Sequence, residues 1–282
     1  MVLVGVIRID TADDERLAGF RNVPDQELLS RHGLFVAEGR LVVKRLLVFS
    51  QCETRAVLVT DPAFTSLQET LSTRPALPVY IVPQEVMNGI AGFNVHRGCL
   101  ALGVRPPARG WRIVSAHARR LVVLERVGDP DNVGTIFRQA AAFGADGVLL
   151  QSACADPLYR KTIRTSMGAS LIVPYAAAEP WPALLKDLRD AGWATIAMTP
   201  NGDATRLREV AADVTGQPVA LVLGHEGDGL TREAMEACSH RARIPMAAGI
   251  DSLNVAMAAG IALYEMGPGI PTPFHTSTPQ RR

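Results

Sequence analysis

Residues 218–266, PVALVLGHEGDGLTREAMEACSHRARIPMAAGIDSLNVAMAAGIALYEM, constrain the fold more than any other stretch of the chain. Val219 to Leu223 is a continuous apolar run, the pattern of a parallel strand buried on both faces. It stops at Gly224-His225-Glu226-Gly227-Asp228-Gly229, where glycine admits positive φ and lets a ligand approach the main chain. Ile244-Pro245-Met246 reads as a second apolar strand, leading through Ala247-Ala248-Gly249 to Asp251-Ser252. Ser252 is placed to cap a small-residue helix from Leu253 to about Met266. Ligands bind at the carboxyl ends of strands in open α/β sheets, so the two loops mark one candidate site. Either loop alone reads equally as an ordinary turn between a strand and a helix.

The rest of the chain repeats this alternation, which predicts an α/β protein. Its 282 residues, 48% of them hydrophobic, allow two domains with cores of their own. A smaller α/β domain is expected over 1–105. Its strands fall at Leu34–Ala37, Ala56–Val59, Val79–Val82 and Cys99–Val104, and its helices begin near Arg40, at Thr65 and at Gln84. Paired prolines and a glycine in Arg105-Pro106-Pro107-Ala108-Arg109-Gly110 predict a linker over 106–118. The second domain, 119–268, opens with the buried run Leu121–Leu124 and continues with strands at Gly147–Leu150 and Trp193–Met198. The Pro-, Gly- and Thr-rich end, 269–282, is expected to be a disordered tail.

The formal charge of +1 argues against a cationic surface over the whole molecule, so any nucleic-acid footprint is local. Lysine occurs only at Lys44, Lys161 and Lys186, which makes 26 of the 29 basic residues arginine. Arginine's rigid fork suits phosphate and guanine, although genomic base composition produces the same bias. Cys52, Cys99, Cys154 and Cys238 stand far apart and without CxxC spacing, so neither a metal centre nor a disulfide framework is expected. The start, MVLVGVIRID, meets Arg8, Asp10 and Asp13 too soon for a signal peptide, and no apolar run nears the roughly 18 residues of a membrane span. A cytoplasmic protein is expected.

After Leu124 the chain runs through Glu125-Arg126-Val127-Gly128-Asp129-Pro130-Asp131 to Asn132, which is placed to cap a helix over Val133–Phe143. Arg138 falls on another face, above Gly134 and Asp131, where the surface is expected to be open to a ligand. A helix N-terminus with an arginine one turn on suits a phosphate, whereas Arg138 alone reads as a solvated residue. Arg160, Lys161 and Arg164 form a basic stripe at helical spacing, either a solvated face or an RNA contact. In the first domain Arg21, Arg31, His32, Glu38, Arg40, His96 and Arg97 form no catalytic set by spacing and read as surface or as a binding face.

Three separated motifs carry a resemblance. Asn132-Val133-Gly134-Thr135-Ile136-Phe137-Arg138 fits N-x-G-x-x-x-R, and Leu223–Leu230 fits L-G-x-E-G-x-G-L. Ile244-Pro245-Met246 with Asp251-Ser252-Leu253-Asn254-Val255-Ala256 fits I-P-M…S-L-N-V-A. Together, in this order and at predicted strand ends, they resemble the SpoU (TrmH-like) branch of the SPOUT RNA methyltransferases. Leu34–Gly39 and His96–Ala101 extend the likeness to that family's L30e-like substrate-binding domain.

The resemblance implies a C-terminal SPOUT α/β domain with a deep trefoil knot, S-adenosylmethionine as cofactor, RNA as partner and a homodimer. Methyl transfer to a ribose 2′-hydroxyl is implied, on ribosomal rather than transfer RNA. It assigns Arg138 as catalytic with Asn132, Glu226, Ser252 and Asn254 around it. Leu223, Gly224, Glu226, Gly227, Ile244, Met246 and Leu253 would hold the cofactor, and Arg31, Arg40, His96, Arg97, Arg160, Lys161 and Arg164 would meet RNA. Ala256, Ala258, Ala259, Gly260 and Ala262 fit close packing in a dimer or in a core. Two other classes remain as alternatives: a non-catalytic RNA- or ribosome-binding protein, and a dinucleotide enzyme, for which Gly224, Gly227 and Gly229 run in the wrong order for G-x-G-x-x-G.

Overall fold

The computed structural model describes residues 5–21, 24–91 and 98–267. His96, Arg97 and the expected tail lie outside them. The chain forms two compact units, one of residues 1–107 with 156–172, the other of 108–155 with 173–282.

The first unit carries a mixed sheet of β1 (Val6–Arg8), β2 (Leu34–Glu38), β3 (Thr54–Val59), β4 (Val79–Ile81) and β5 (Cys99–Val104). The order is β1-β4-β3-β5-β2, with β5 antiparallel to both β2 and β3. Leu34, Val36, Ala56, Leu58, Leu100 and Leu102 meet Leu17, Phe20, Leu28 and Met87 in its core. The helix Arg160–Thr165, expected in the second domain, belongs to this unit. Its first N–H is donated by Arg160 to Asp25 Oδ2 at 2.8 Å, and the turn after it is held by Arg45 Nη1 donating to Met167 O at 2.6 Å.

The second unit is built on β6 (Arg120–Leu124), β7 (Gly147–Leu150), β8 (Tyr175–Ala177), β9 (Ala194–Met198), β10 (Thr205–Arg206), β11 (Val219–Leu223) and β12 (His240–Arg243). All run parallel, in the order β10-β12-β9-β11-β6-β7-β8. Every residue of β6, β7 and β11 is buried, which is why those strands read as uninterrupted apolar runs. Side chains alternate between the two faces. Leu121, Val123, Leu149, Ala220 and Val222 pack with Leu184, Leu185 and Leu188 of the helix Ala183–Asp190. Part of the expected linker joins that core: Trp111–Ser115 is helical and Trp111 is buried. On the sheet's other side the helix Val255–Glu265 packs against the helix Pro130–Ala142.

The second strand of the opening motif is displaced. The polar His240–Arg243 forms β12, and Ile244-Pro245-Met246 lies beyond it. Only Ala242 of β12 is buried, so the strand carries no apolar signature. Pro245 has no N–H to continue a ladder.

Candidate active site

Both helices at the site begin elsewhere than their sequence predicts. The helix Pro130–Ala142 is capped by Asp129, whose side chain accepts from Asp131 N at 2.9 Å, and Pro130 fills its first position. Asn132 therefore sits in the first turn with its side chain free of capping. The last helix is capped by Asn254, not Ser252: Asn254 Oδ1 accepts from Ala256 N at 2.9 Å and Met257 N at 3.2 Å.

These two shifts join the three motifs. With its oxygen committed to the cap, Asn254 turns Nδ2 outward and donates to Asn132 Oδ1 at 2.9 Å. Asn132 must then present Nδ2 on its other side, and it donates to Glu226 Oε1 at 2.8 Å. The network orients both amides, because each oxygen already has a donor. One carboxylate oxygen of Glu226 and one N–H on each amide remain for a ligand.

The loop carrying Glu226 is braced at both ends. His225 and Gly229 pair through two main-chain bonds, His225 N to Gly229 O at 3.2 Å and Gly229 N to His225 O at 3.0 Å. Inside that turn His225 Nδ1 accepts from Gly227 N at 3.0 Å and Asp228 N at 3.2 Å. A Cβ on Gly224 would lie 2.4 Å from Gly229 C and Leu230 N, so only glycine fits. Past the loop Thr231 is gripped by Glu125, a carboxylate the sequence reading leaves without a role. Glu125 is 1% exposed, and it accepts from Thr231 N at 2.8 Å, Thr231 Oγ1 at 2.7 Å and Trp181 Nε1 at 2.7 Å.

The loop walls a cavity of about 220 Å³ that collects Leu223, Gly224, Glu226, Gly227, Ile244, Met246, Ser252 and Leu253, all named from the sequence. Met198, Thr199, Pro200 and Asn201, at the end of β9, also line it and carry no distinctive sequence signal. Gly224, Gly227 and Gly229 contribute only main chain, and Met198, Leu223, Met235, Ile244 and Met246 contribute apolar surface. Main-chain polar groups beside an apolar slot fit a nucleoside-containing ligand.

Arg138 stands apart. It is exposed, does not line the cavity, and no described residue bonds to it. Gly134 beneath it is buried rather than open. The described basic candidates Arg31, Arg40, Arg160, Lys161 and Arg164 all belong to the first unit. Arg31 is paired to Glu27 at 2.8 Å, and Lys161 and Arg164 are exposed on their helix. Among the described residues no helix is long and apolar enough to cross a membrane, and no three His, Cys, Asp or Glu side chains converge on a metal position.

The arrangement recurs in known proteins. Uncharacterized tRNA/rRNA methyltransferases of Mycobacterium tuberculosis and Mycobacterium bovis are each 42% identical over 268 residues, 91% of this chain and 92% of theirs. The structure of an AdoMet-bound rRNA methyltransferase from Sinorhizobium meliloti superposes with a TM-score of 0.79 at 27% identity, covering 93% of this chain and 97% of that one. An RNA 2′-O ribose methyltransferase structure gives 0.72 at 26% identity, covering 92% and 98%. Residues 119–264, which hold the ladder and the cavity, match the SpoU rRNA Methylase family. The chain belongs to that family: it has the SPOUT fold and is an S-adenosylmethionine-dependent tRNA/rRNA methyltransferase.

Proposed function

We propose that this protein methylates a ribose 2′-hydroxyl of RNA, with ribosomal RNA favoured over transfer RNA, and that it works as a homodimer in the cytoplasm. The observation that carries the reading is the ladder Glu226–Asn132–Asn254, which ties three distant motifs into one polar edge beside the cavity. Likeness to the solved RNA 2′-O ribose methyltransferase supports the position of methylation, and likeness to the Sinorhizobium rRNA enzyme supports the class of RNA.

The residues suit the cofactor. Main chain at Gly224, Gly227, Ile244 and Leu253 would meet its polar edges, and Leu223 and Met246 would cover its apolar surface. When bound, S-adenosylmethionine supplies an electrophilic methyl carbon. A ribose hydroxyl is a poor nucleophile and must be held in line at roughly 3–3.5 Å. Asn132, Glu226, Asn254 and Ser252 position the ribose. Arg138 keeps its proton, because guanidinium values stay above about 12. Its role would be to hold an RNA phosphate whose oxygen takes the hydroxyl proton as the methyl group passes from sulfur to the ribose oxygen, the C–S bond breaking and S-adenosylhomocysteine leaving.

On the last helix Met257 and Tyr264 are 56% and 69% exposed and lie seven residues apart, on one face. That apolar stripe supports the dimer. Arg31, Arg40, Lys161 and Arg164 supply RNA contacts from the first unit. The last helix packs against the helix Pro130–Ala142, which is compatible with the trefoil knot that the resemblance implies.

The test is transfer of labelled methyl from S-adenosylmethionine to protein-free ribosomal and transfer RNA, followed by nucleoside mass spectrometry. Label in a 2′-O-methyl nucleoside from ribosomal RNA is expected. Label in a base contradicts the reading, and label confined to transfer RNA contradicts the ribosomal preference.

A further inference from the structure

Between two buried residues at the end of β6, Glu125 and Val127, stands an arginine that the assigned site leaves unused. Arg126 has φ +54°, the left-handed region where glycine or asparagine is the expected residue. An L side chain held there indicates that the side chain serves some purpose.

Its internal contacts do not supply that purpose. The guanidinium Nη1 lies 3.7 Å from Asp228 Oδ2, too far for a hydrogen bond, and both side chains are open to solvent. Such a pair contributes little to stability. Arg126 Nε is buried and has no hydrogen-bond partner among the described residues. The guanidinium is thus held, incompletely satisfied, beside Asp228 of the cavity wall. Three residues on, Asp129 starts the helix that carries Asn132 and Arg138.

We propose that Arg126 is a substrate-positioning residue that exchanges Asp228 for a phosphodiester of the incoming RNA. A phosphate is a stronger partner for the fork than an exposed carboxylate, because two parallel charge-assisted bonds replace one long contact. The exchange also releases Asp228, so RNA arrival is felt in the loop that walls the cavity. The Arg126 side chain is partly exposed, whereas its neighbour Glu125 is buried against Thr231 and Trp181. The proposal rests on the RNA-methylating reading. It commits to phosphate from RNA; binding of the carboxylate that the cofactor would bring is an outcome of the test.

The experiment compares the full-length protein with Arg126→Gly, which suits the backbone, and Arg126→Lys, which keeps the charge. Filter binding to ribosomal RNA, and in parallel to transfer RNA, is followed across a KCl series, with calorimetric titration of S-adenosylmethionine and thermal unfolding alongside. Arg126→Gly should weaken RNA binding about 5- to 10-fold and lower the salt slope by about one, and Arg126→Lys should restore the slope. The melting temperature should not fall in either variant, and cofactor affinity should stay unchanged in both. An unchanged slope overturns the proposal, and so does a loss confined to cofactor affinity, which would assign Arg126 to the carboxylate. A normal protein that binds RNA with this slope yet transfers no methyl group overturns the functional reading alone. One that binds neither RNA overturns both.

Discussion

Asn254 donates to Asn132 at 2.9 Å across 122 positions of sequence, while its own oxygen caps the last helix. One side chain thus closes a helix end and sets the amide that in turn holds Glu226. The two asparagines should therefore fail differently. Asn132→Ala should lower methyl transfer about 100-fold without changing the melting temperature, as expected for loss of a preorganised donor. Asn254→Ala should lower both, since a lost cap costs about 1 kcal/mol. Combined, they should show strong non-additivity in rate. Additive rate effects would mean that the ladder does not act as a unit.

Gly224→Ala should abolish cofactor binding, because the new Cβ would sit 2.4 Å from the main chain of Gly229 and Leu230 and displace the loop. At Gly227 a Cβ first meets His225 at 3.4 Å, an ordinary contact. Gly227→Ala should leave the loop intact, so any affinity it loses in calorimetric titration reports on the ligand's approach to that glycine.

The His225 ring acts as an acceptor for two main-chain N–H groups of the cofactor loop. Asparagine offers a carbonyl oxygen in a similar place and should retain most of the cofactor affinity. Phenylalanine should weaken it about tenfold, the effect of stranding these donors. Equal affinities for the two variants would show that the ring nitrogen is not what shapes the loop.

Glu125→Ala would strand Trp181 Nε1 and both donors of Thr231. A loss of about 3 kcal/mol in urea unfolding is expected, with a fall in cofactor affinity because Thr231 anchors the loop. Unfolding unchanged within 1 kcal/mol would remove Glu125 from this role.

The thiols of Cys99, Cys154 and Cys238 should be inert at neutral pH. Burial pushes Cys154 from the ordinary 9.0 up to about 11, and burial pushes Cys99 and Cys238 up to about 12. Iodoacetamide at pH 8 should leave methyl transfer intact, with labelling of Cys99, Cys154 and Cys238 rising only in strong alkali. These folded values are raised, so their contribution to stability is fully present below the ordinary thiol value of 9.0. It is lost as pH climbs toward 11 and 12. Rapid inactivation at pH 8 would contradict this.

What was legible in the sequence follows from burial. β6, β7 and β11 are buried on both faces and announce themselves as apolar runs. β12 hides in His240–Arg243 because only Ala242 faces inward, and the apolar Ile244-Pro245-Met246 reads as a strand because a ligand cavity selects the same side chains as a core. The cavity residues of the three motifs were readable because glycine and asparagine at strand ends have few structural substitutes. Helix starts differ from the sequence expectation by two or three residues: Asn132 and Ser252 look like caps, whereas Asp129 with Pro130, and Asn254, do the capping. Glu125 had a faint signal, a carboxylate directly after a buried strand, but its partners lie 56 and 106 residues away. The basic helix Arg160–Thr165 falls by chain order in the second domain, and its packing into the first unit depends on a contact with Asp25, 135 residues earlier.

Ribose-methylation mapping by mass spectrometry, on ribosomal and transfer RNA from cells with and without the gene, tests the central claim most directly. The account predicts one ribosomal 2′-O-methyl nucleotide lost on deletion, restored by the normal protein and not by Arg138→Ala. Restoration by Arg138→Ala, or a ribose-methylation pattern identical in the two strains, would contradict it.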